Sequence, residues 1–156
     1  MVTFVKTIMN IITIGGSGFI GTYLIQLLQS EHRLFNIDKQ PSAAFPQLTA
    51  IADVRNYDSL LNVMQPADWV ILLAAEHRDD VSPTSLYYDV NVQGTKNILK
   101  ALDEKGISKI IFISSVAVYG LNKNNADETF PADSFNDYGK SKWMAEEVLC
   151  EWHAKD

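Results

Sequence analysis

The 156-residue chain is 47% hydrophobic and 21% charged, which suffices for one domain with its own core. Its net charge of −6, with 13 basic against 19 acidic side chains and no basic cluster, leaves no electrostatic footprint for nucleic acid. The single cysteine, Cys150, excludes an internal disulfide and a cysteine-rich metal site. No apolar run approaches the ~18 residues that span a bilayer, so a cytoplasmic protein with no membrane partner is expected.

Residues 1–8 precede a second methionine, Met9, and lack the layout of a signal peptide. They read as an N-terminal extension, a leader or alternative start, ahead of a domain over residues 9–156. A β-branched apolar run predicts a buried parallel strand over 9–14. It ends in GGSGFIG, residues 15–21, and apolar residues at helical period follow, predicting a helix over 19–30. Strand, glycine turn and helix in this order are the context of a dinucleotide-binding turn. Gly15 permits the tight turn, Gly18 lets backbone approach a pyrophosphate, and Gly21 lets the helix lie close. The helix N-terminus at Phe19, Ile20 and Gly21 offers unpaired N–H groups to the phosphates.

A second strand over 34–37 ends at Asp38, 23 residues after Gly15. An acidic residue at that distance suits a ribose 2′-hydroxyl and repels a 2′-phosphate, which favours NAD over NADP. Lys39 beside it weakens that preference without reversing it. Residues 40–47, with Pro41 and Pro46, read as a loop. A third strand over 48–52 leads to Asp53, Val54 and Arg55, then a short helix closed by Pro66. WVILLAA, residues 69–75, predicts a central strand ending at Ala74 and Ala75. A helix over 86–102 is stopped by Gly106, and a fifth strand over 109–113 runs into Ser114 and Ser115. Residues 122–135 form a polar loop, and a last helix covers 138–154.

This alternation predicts an α/β fold, a Rossmann-type doubly wound parallel sheet with helices on both faces. Gly15, Gly18, Asp38, Asp53, Ala74, Ala75 and Ser115 all fall at the carboxyl ends of strands, where such sheets bind ligands.

Tyr138 and Lys142 stand at i and i+4 and share a helix face. A phenol is a poor base at neutral pH, but a neighbouring ammonium and a cationic nicotinamide both favour its phenolate. The pair can move a hydroxyl proton while hydride leaves the same carbon. The same spacing recurs at Tyr119 and Lys123, but in an asparagine-rich loop rather than a helix. Ser115, just past the fifth strand, can bond the substrate oxygen. Asn91, inside a helix near the site, either holds a water or fills space. His77 with Asp79 and Asp80 lacks a second ligand cluster, so a solvated loop is expected and no metal.

Together these stretches resemble the extended short-chain dehydrogenase/reductase superfamily, in its nucleotide-sugar epimerase/dehydratase branch. The matching segments are GGSGFIG, ID (37–38), ADVR (52–55), LLAA (72–75), VNVQGTKNIL (90–99), FISSVAVYG (112–120) and DYGKSK (137–142). The resemblance implies that Asp53 contacts the adenine and that Asn91 is the family's helix asparagine. It implies Ser115, Tyr138 and Lys142 as the catalytic set, with Lys142 also gripping the nicotinamide ribose. The 4,6-dehydratases and decarboxylases of the branch carry an acid between the strand-5 serine and the YG; here stand Val116, Ala117 and Val118. That trio fits an NAD-dependent isomerase of the UDP-glucose 4-epimerase type or a 4-ketoreductase, and Asp38 tilts the choice to the epimerase.

In the implied mechanism Tyr138 removes the proton of the sugar 4-hydroxyl as hydride passes to NAD, and the 4-keto sugar turns over before reduction on its other face. The expected substrate is a nucleotide-sugar, UDP-linked. Family members continue well past Lys142 into a domain that recognises the nucleotide-sugar, and the resemblance covers only their N-terminal part. The C-terminal substrate domain is therefore expected to be absent from these residues. A non-catalytic NAD-binding sensor or scaffold stays open as an alternative. The branch also pairs its helices across a two-fold, here about 84–105 and 138–154, so a homodimer burying Trp143, Leu149 and Trp152 is expected beside the simpler reading of core packing.

Overall fold

A computed structural model describes residues 7–155. Five strands, β1 (Asn10–Ile14), β2 (Arg33–Asp38), β3 (Thr49–Ile51), β4 (Trp69–Leu72) and β5 (Ile110–Phe112), form one parallel sheet in the order β3-β2-β1-β4-β5. The helices are α1 (Phe19–Leu28), α2 (Tyr57–Val63), α3 (Ser85–Tyr88), α4 (Gly94–Lys105) and α5 (Asp137–His153). From β1 the chain winds outward to β3, then returns beside β1 as β4 and winds the other way. Right-handed crossovers therefore place α1 on one face of the sheet and α4 on the other. On that second face α4 packs against both α2 and α5. Between β1 and β4 the winding reverses, and a crevice opens at their carboxyl ends.

The central strands are buried on both faces, as expected of continuous β-branched runs: Ile12, Ile14, Val70 and Leu72 on one face are at most 1% exposed, and Ile11, Thr13 and Ile71 on the other at most 7%. Asn136 caps α5, its side-chain oxygen accepting from the Gly139 N–H at 2.8 Å, and Asn56 caps α2 from Ser59 in the same way. Gly106 ends α4 at φ +67°, the left-handed cap its position predicts.

The expected elements are present with several changed boundaries. β4 stops at Leu72, short of Ala75, because the Leu73 and Ala74 N–H groups both turn to the Ile14 carbonyl at 2.8 Å, where β1 itself ends. A 3₁₀ turn at Pro46–Leu48 delays β3 to Thr49. The helix expected over 86–102 is interrupted: a π-turn at Asp89–Gln93 separates α3 from α4. The extra residue in that turn goes with Asn91 lying buried, 2% exposed. Most of the expected N-terminal extension lies outside the described residues, and residues 7–9 have no regular structure.

Two apolar surfaces differ in fate. Leu149 and Trp152 pack on the core, with the Trp152 indole donating to Asp103 Oδ1 at 2.6 Å, so core packing accounts for them. Trp143 and Met144 stay partly exposed, as do Phe19, Ile20, Tyr23 and Leu27 along α1.

Beneath the glycine turn, the fully buried Asn36 uses its whole amide. Its oxygen accepts from Gly16 N–H at 2.9 Å and Thr13 Oγ1 at 3.0 Å; its nitrogen donates to Ser17 Oγ at 3.1 Å and Thr49 Oγ1 at 3.0 Å. Asn36→Ala is expected to lower the unfolding free energy by about 1–3 kcal/mol, since it strands buried polar groups. Urea denaturation reads this directly; an unchanged midpoint would mean the turn holds itself without the amide.

Candidate functional site

The turn after β1 is shaped by lack of space. Gly15 adopts φ +86°, and a Cβ there would lie 2.3 Å from the Ala74 nitrogen, so the chains leaving β1 and β4 can pass only if residue 15 has no side chain. A Cβ on Gly21 would fall 2.4 Å from the Gly16 Cα, so this glycine brings α1 against the turn rather than against the strand. Gly18 differs: a Cβ there would meet only the Gly15 carbonyl, at 3.9 Å. It is the N-cap residue of α1 and offers no side-chain cap, and the first turn of the helix holds no acidic residue. The leading N–H groups of α1 are thus left for a ligand, at a point where the helix dipole favours an anion.

This turn forms one wall of a cavity of about 850 Å³ at the crevice between β1 and β4. Gly15, Gly18, Phe19, Ile20, Gly21, Asp38, Asp53, Val54, Ala74, Ala75, Tyr138 and Lys142 all line it. Asp38 accepts from the Ser17 N–H at 2.9 Å and the Gln40 N–H at 3.1 Å, which fixes its carboxylate at the tip of β2. Asp53 forms a two-pronged pair with Arg55, with a closest approach of 2.6 Å, and the hydrogen-bonded guanidinium lowers its pKa. Val54 is buried, and its side chain fills the space a Cβ on Gly94 would take.

At the far end of the cavity α5 presents Tyr138 and Lys142. The Tyr138 ring lies 6.4 Å from that of Tyr87, and its hydroxyl has no protein partner among the described residues. Lys142 is 2% exposed, donates to the Ile113 carbonyl at 2.7 Å and lies 3.9 Å from the Phe112 ring centroid. Burial pushes its pKa down to about 8, against the pull of the Glu146 carboxylate one turn along. Ser114 lines the cavity beside it and hydrogen-bonds Glu146, which ties the end of β5 to α5. Ser115 is one residue removed: it caps the 3₁₀ turn Val116–Tyr119, accepting from the Ala117 N–H at 3.2 Å. Its own hydroxyl hydrogen has no acceptor among the described residues. Lys123 is paired with Asp133 at 2.9 Å and lies in an irregular loop, so the alternative tyrosine–lysine spacing is not on a helix.

Asn91 fastens elements together. Its oxygen accepts from the Glu76 N–H at 2.8 Å, and its nitrogen donates to the Glu76 carbonyl at 3.0 Å and to Ser141 Oγ at 2.8 Å. Ser141 in turn donates to the Tyr138 carbonyl at 2.8 Å. The loop after β4, the π-turn and the first turn of α5 therefore share one buried network. Asn36, Ser141 and Glu146 escaped the sequence reading. The signal for Asn36 was an asparagine within an apolar strand, where such residues are disfavoured. Among the described residues no group of acidic, histidine or cysteine side chains is arranged to hold a metal, and no helix is long and apolar enough to cross a membrane.

Known proteins are similar to this chain in sequence and in fold. The N-acetyl-alpha-D-glucosaminyl-diphospho-ditrans,octacis-undecaprenol 4-epimerase of Escherichia coli O157:H7 is 58% identical over 94% of this chain and 44% of its own length. The crystal structure of UDP-glucose 4-epimerase from Bifidobacterium longum in complex with NAD+ and UDP is 30% identical, with a TM-score of 0.83 over 94% of this chain and 50% of that one. The UDP-Glc/GlcNAc 4-epimerase of Campylobacter jejuni is 27% identical, with a TM-score of 0.85 and the same coverage. The chain thus spans about half the length of the relatives it matches. A profile of the NAD dependent epimerase/dehydratase family matches residues 11–156. From the glycine turn to the tyrosine and lysine of α5, the chain belongs to the NAD-dependent epimerase/dehydratase family.

Proposed function

We propose that this chain is the NAD-binding and catalytic portion of a 4-epimerase acting on a hexose joined to its carrier through a diphosphate. The observation that carries the reading is that Tyr138 and Lys142 line the same cavity as the glycine turn and Asp38. The donor set suits NAD: backbone N–H groups at an uncapped helix end for the pyrophosphate, and a fixed carboxylate at the tip of β2 for a ribose. NAD held there supplies a reversible hydride acceptor. Asp53 and Val54 border the adenosine end, and Ala74 and Ala75 form the floor.

Tyr138 serves as the base for the sugar 4-hydroxyl and returns the same proton after the sugar has turned. The Lys142 ammonium, one helical turn from Tyr138 and held by the Ile113 carbonyl, stabilises the phenolate while the tyrosine holds the negative charge. Ser115 donates its free hydroxyl hydrogen to the sugar oxygen, and Asn91 acts by positioning α5. No proton or electron pair is consumed over the cycle, which accords with an isomerase.

The carrier is open to two chemistries. The relatives include enzymes named for UDP-glucose and one named for an undecaprenyl-diphosphate sugar, and both substrates present a hexose on a diphosphate. The nucleotide-sugar is the reading made from the sequence, and the 58% identity brings in the polyprenyl-linked sugar. A homodimer through α3–α4 and α5 draws support from the partly exposed Trp143 and Met144. A cytoplasmic location belongs to the same reading, supported by a lone, unpaired Cys150.

Calorimetric titration of the purified chain with NAD and then NADP tests the proposal, followed by UDP-hexoses and a polyprenyl-diphosphate N-acetylhexosamine on the NAD-loaded sample. NAD is expected to bind and NADP to bind more weakly, with little or no steady sugar turnover by these 156 residues alone. Gly15→Ala is expected to weaken NAD at least tenfold by forcing the turn apart. Failure to bind either cofactor would sink the proposal. Where the NAD-loaded wild type does respond to a sugar, loss of that response in Tyr138→Phe with NAD binding retained marks an enzyme, and an unchanged response marks a sensor.

The buried lysine makes a pH prediction. Lys142 titrates near 8 in the folded chain against the ordinary 10.5. Between those values the unfolded chain holds the extra proton, so stability rises from about pH 8 and levels off near 10.5. Across that window the wild type should gain on the order of 3 kcal/mol relative to Lys142→Met, read from urea midpoints. Parallel pH profiles for the two proteins would show that burial does not shift this amine.

A further inference from the structure

The segment Glu76–Asp80 follows LLAA at the edge of the cavity, and the proposed reaction gives it no part. Its first residue lies against the cavity, with a side chain only 12% exposed, while its backbone is clamped on both sides by Asn91. From that fixed position the Glu76 carboxylate reaches the ammonium of Lys39, which follows Asp38, at 4.0 Å. The neighbouring cations are matched in the same way: Arg55 is held by Asp53 at 2.6 Å and Arg78 by Asp80 at 2.7 Å. A 2′-phosphate on the adenosine ribose requires an available cation beside the tip of β2. Lys39 has the position for that role, and its ammonium stands 4.0 Å from the Glu76 carboxylate.

We propose that Glu76 is a specificity-determining residue for the cofactor: by holding Lys39 across the cavity mouth, it withholds that ammonium from a 2′-phosphate. Asp38 and Glu76 then act in series. Asp38 repels the phosphate directly, and Glu76 removes the counter-charge that would offset the repulsion. The inference rests on the NAD-binding reading above. The two groups stand 4.0 Å apart and the lysine end is half-exposed, so the contact contributes little to folding, and the isosteric Glu76→Gln redirects a charge without unfolding the chain.

The test is calorimetric titration of NAD and NADP into wild type, Glu76→Gln, Lys39→Met and the double variant, with Glu76→Ala as a second replacement. In Glu76→Gln the NADP dissociation constant should fall about fivefold, the scale of a half-exposed ion pair, while that for NAD moves less than about twofold. The gain should shrink as salt screens the freed ammonium, and it should vanish when Lys39→Met is added. An unchanged NADP-to-NAD ratio in both Glu76 variants overturns the inference while NAD binding by the wild type stands. A gain that persists without Lys39 also overturns it, since removal of a negative charge alone would then be the cause. A wild type that binds neither cofactor overturns both this inference and the NAD reading on which it depends.

Discussion

Everything functional in this chain depends on two backbones passing within contact where β1 and β4 end. The Gly15 Cα has no room for a substituent because Ala74 stands in its place, and the Leu73 and Ala74 amides are bonded to the carbonyl that ends β1. That proximity creates the crevice at the reversal of the winding. It also commits the chain to glycine at the turn. Asn36, on the neighbouring strand, supports it from below by accepting the Gly16 N–H and donating to Ser17. A buried amide with all four valences used is favourable only if each partner is present, so the turn, β2 and the start of β3 are specified together.

A second buried network does for the reactive end what Asn36 does for the turn. Asn91 joins the loop after β4 to Ser141, and Ser141 reaches the carbonyl of Tyr138. The wall of the cavity and the helix bearing the tyrosine and lysine are therefore set by one side chain. The cost is visible in the helix that supplies it, which departs from regular geometry for one turn at the point where Asn91 enters the interior.

Much of this was legible in the sequence because it follows from local pattern. Apolar β-branched runs gave the strands, glycine spacing gave the turn, and the i, i+4 relation brought Tyr138 and Lys142 to one helix face. The ends of elements were harder. Where β4 stops depends on where β1 stops, a relation between residues distant in the chain. The interruption between α3 and α4 depends on Glu76, fifteen residues before Asn91, and has no signature in a helical repeat. Polar groups in the core were the least legible. Asn36 and Ser141 are short, common residues whose importance comes only from what folding brings to them. Ser115 illustrates the same limit: its position past β5 was readable, but its engagement with the Ala117 amide was not.

The sheet order carries a kinetic consequence. β1 is central, yet one of its two partners comes from far along the chain: Ile11 pairs with both Leu34 and Trp69. The hairpin-like economy of local contacts is unavailable to a parallel ladder, and closing the long loop to β4 precedes any reward from pairing. On loop-closure entropy the crevice is expected to close late in folding, after β1, β2 and α1. A molecule that binds only the completed crevice is then expected to act after the rate-limiting step of folding. Its influence falls on the opposite limb, slowing escape from the native state and leaving the rate of its formation nearly untouched.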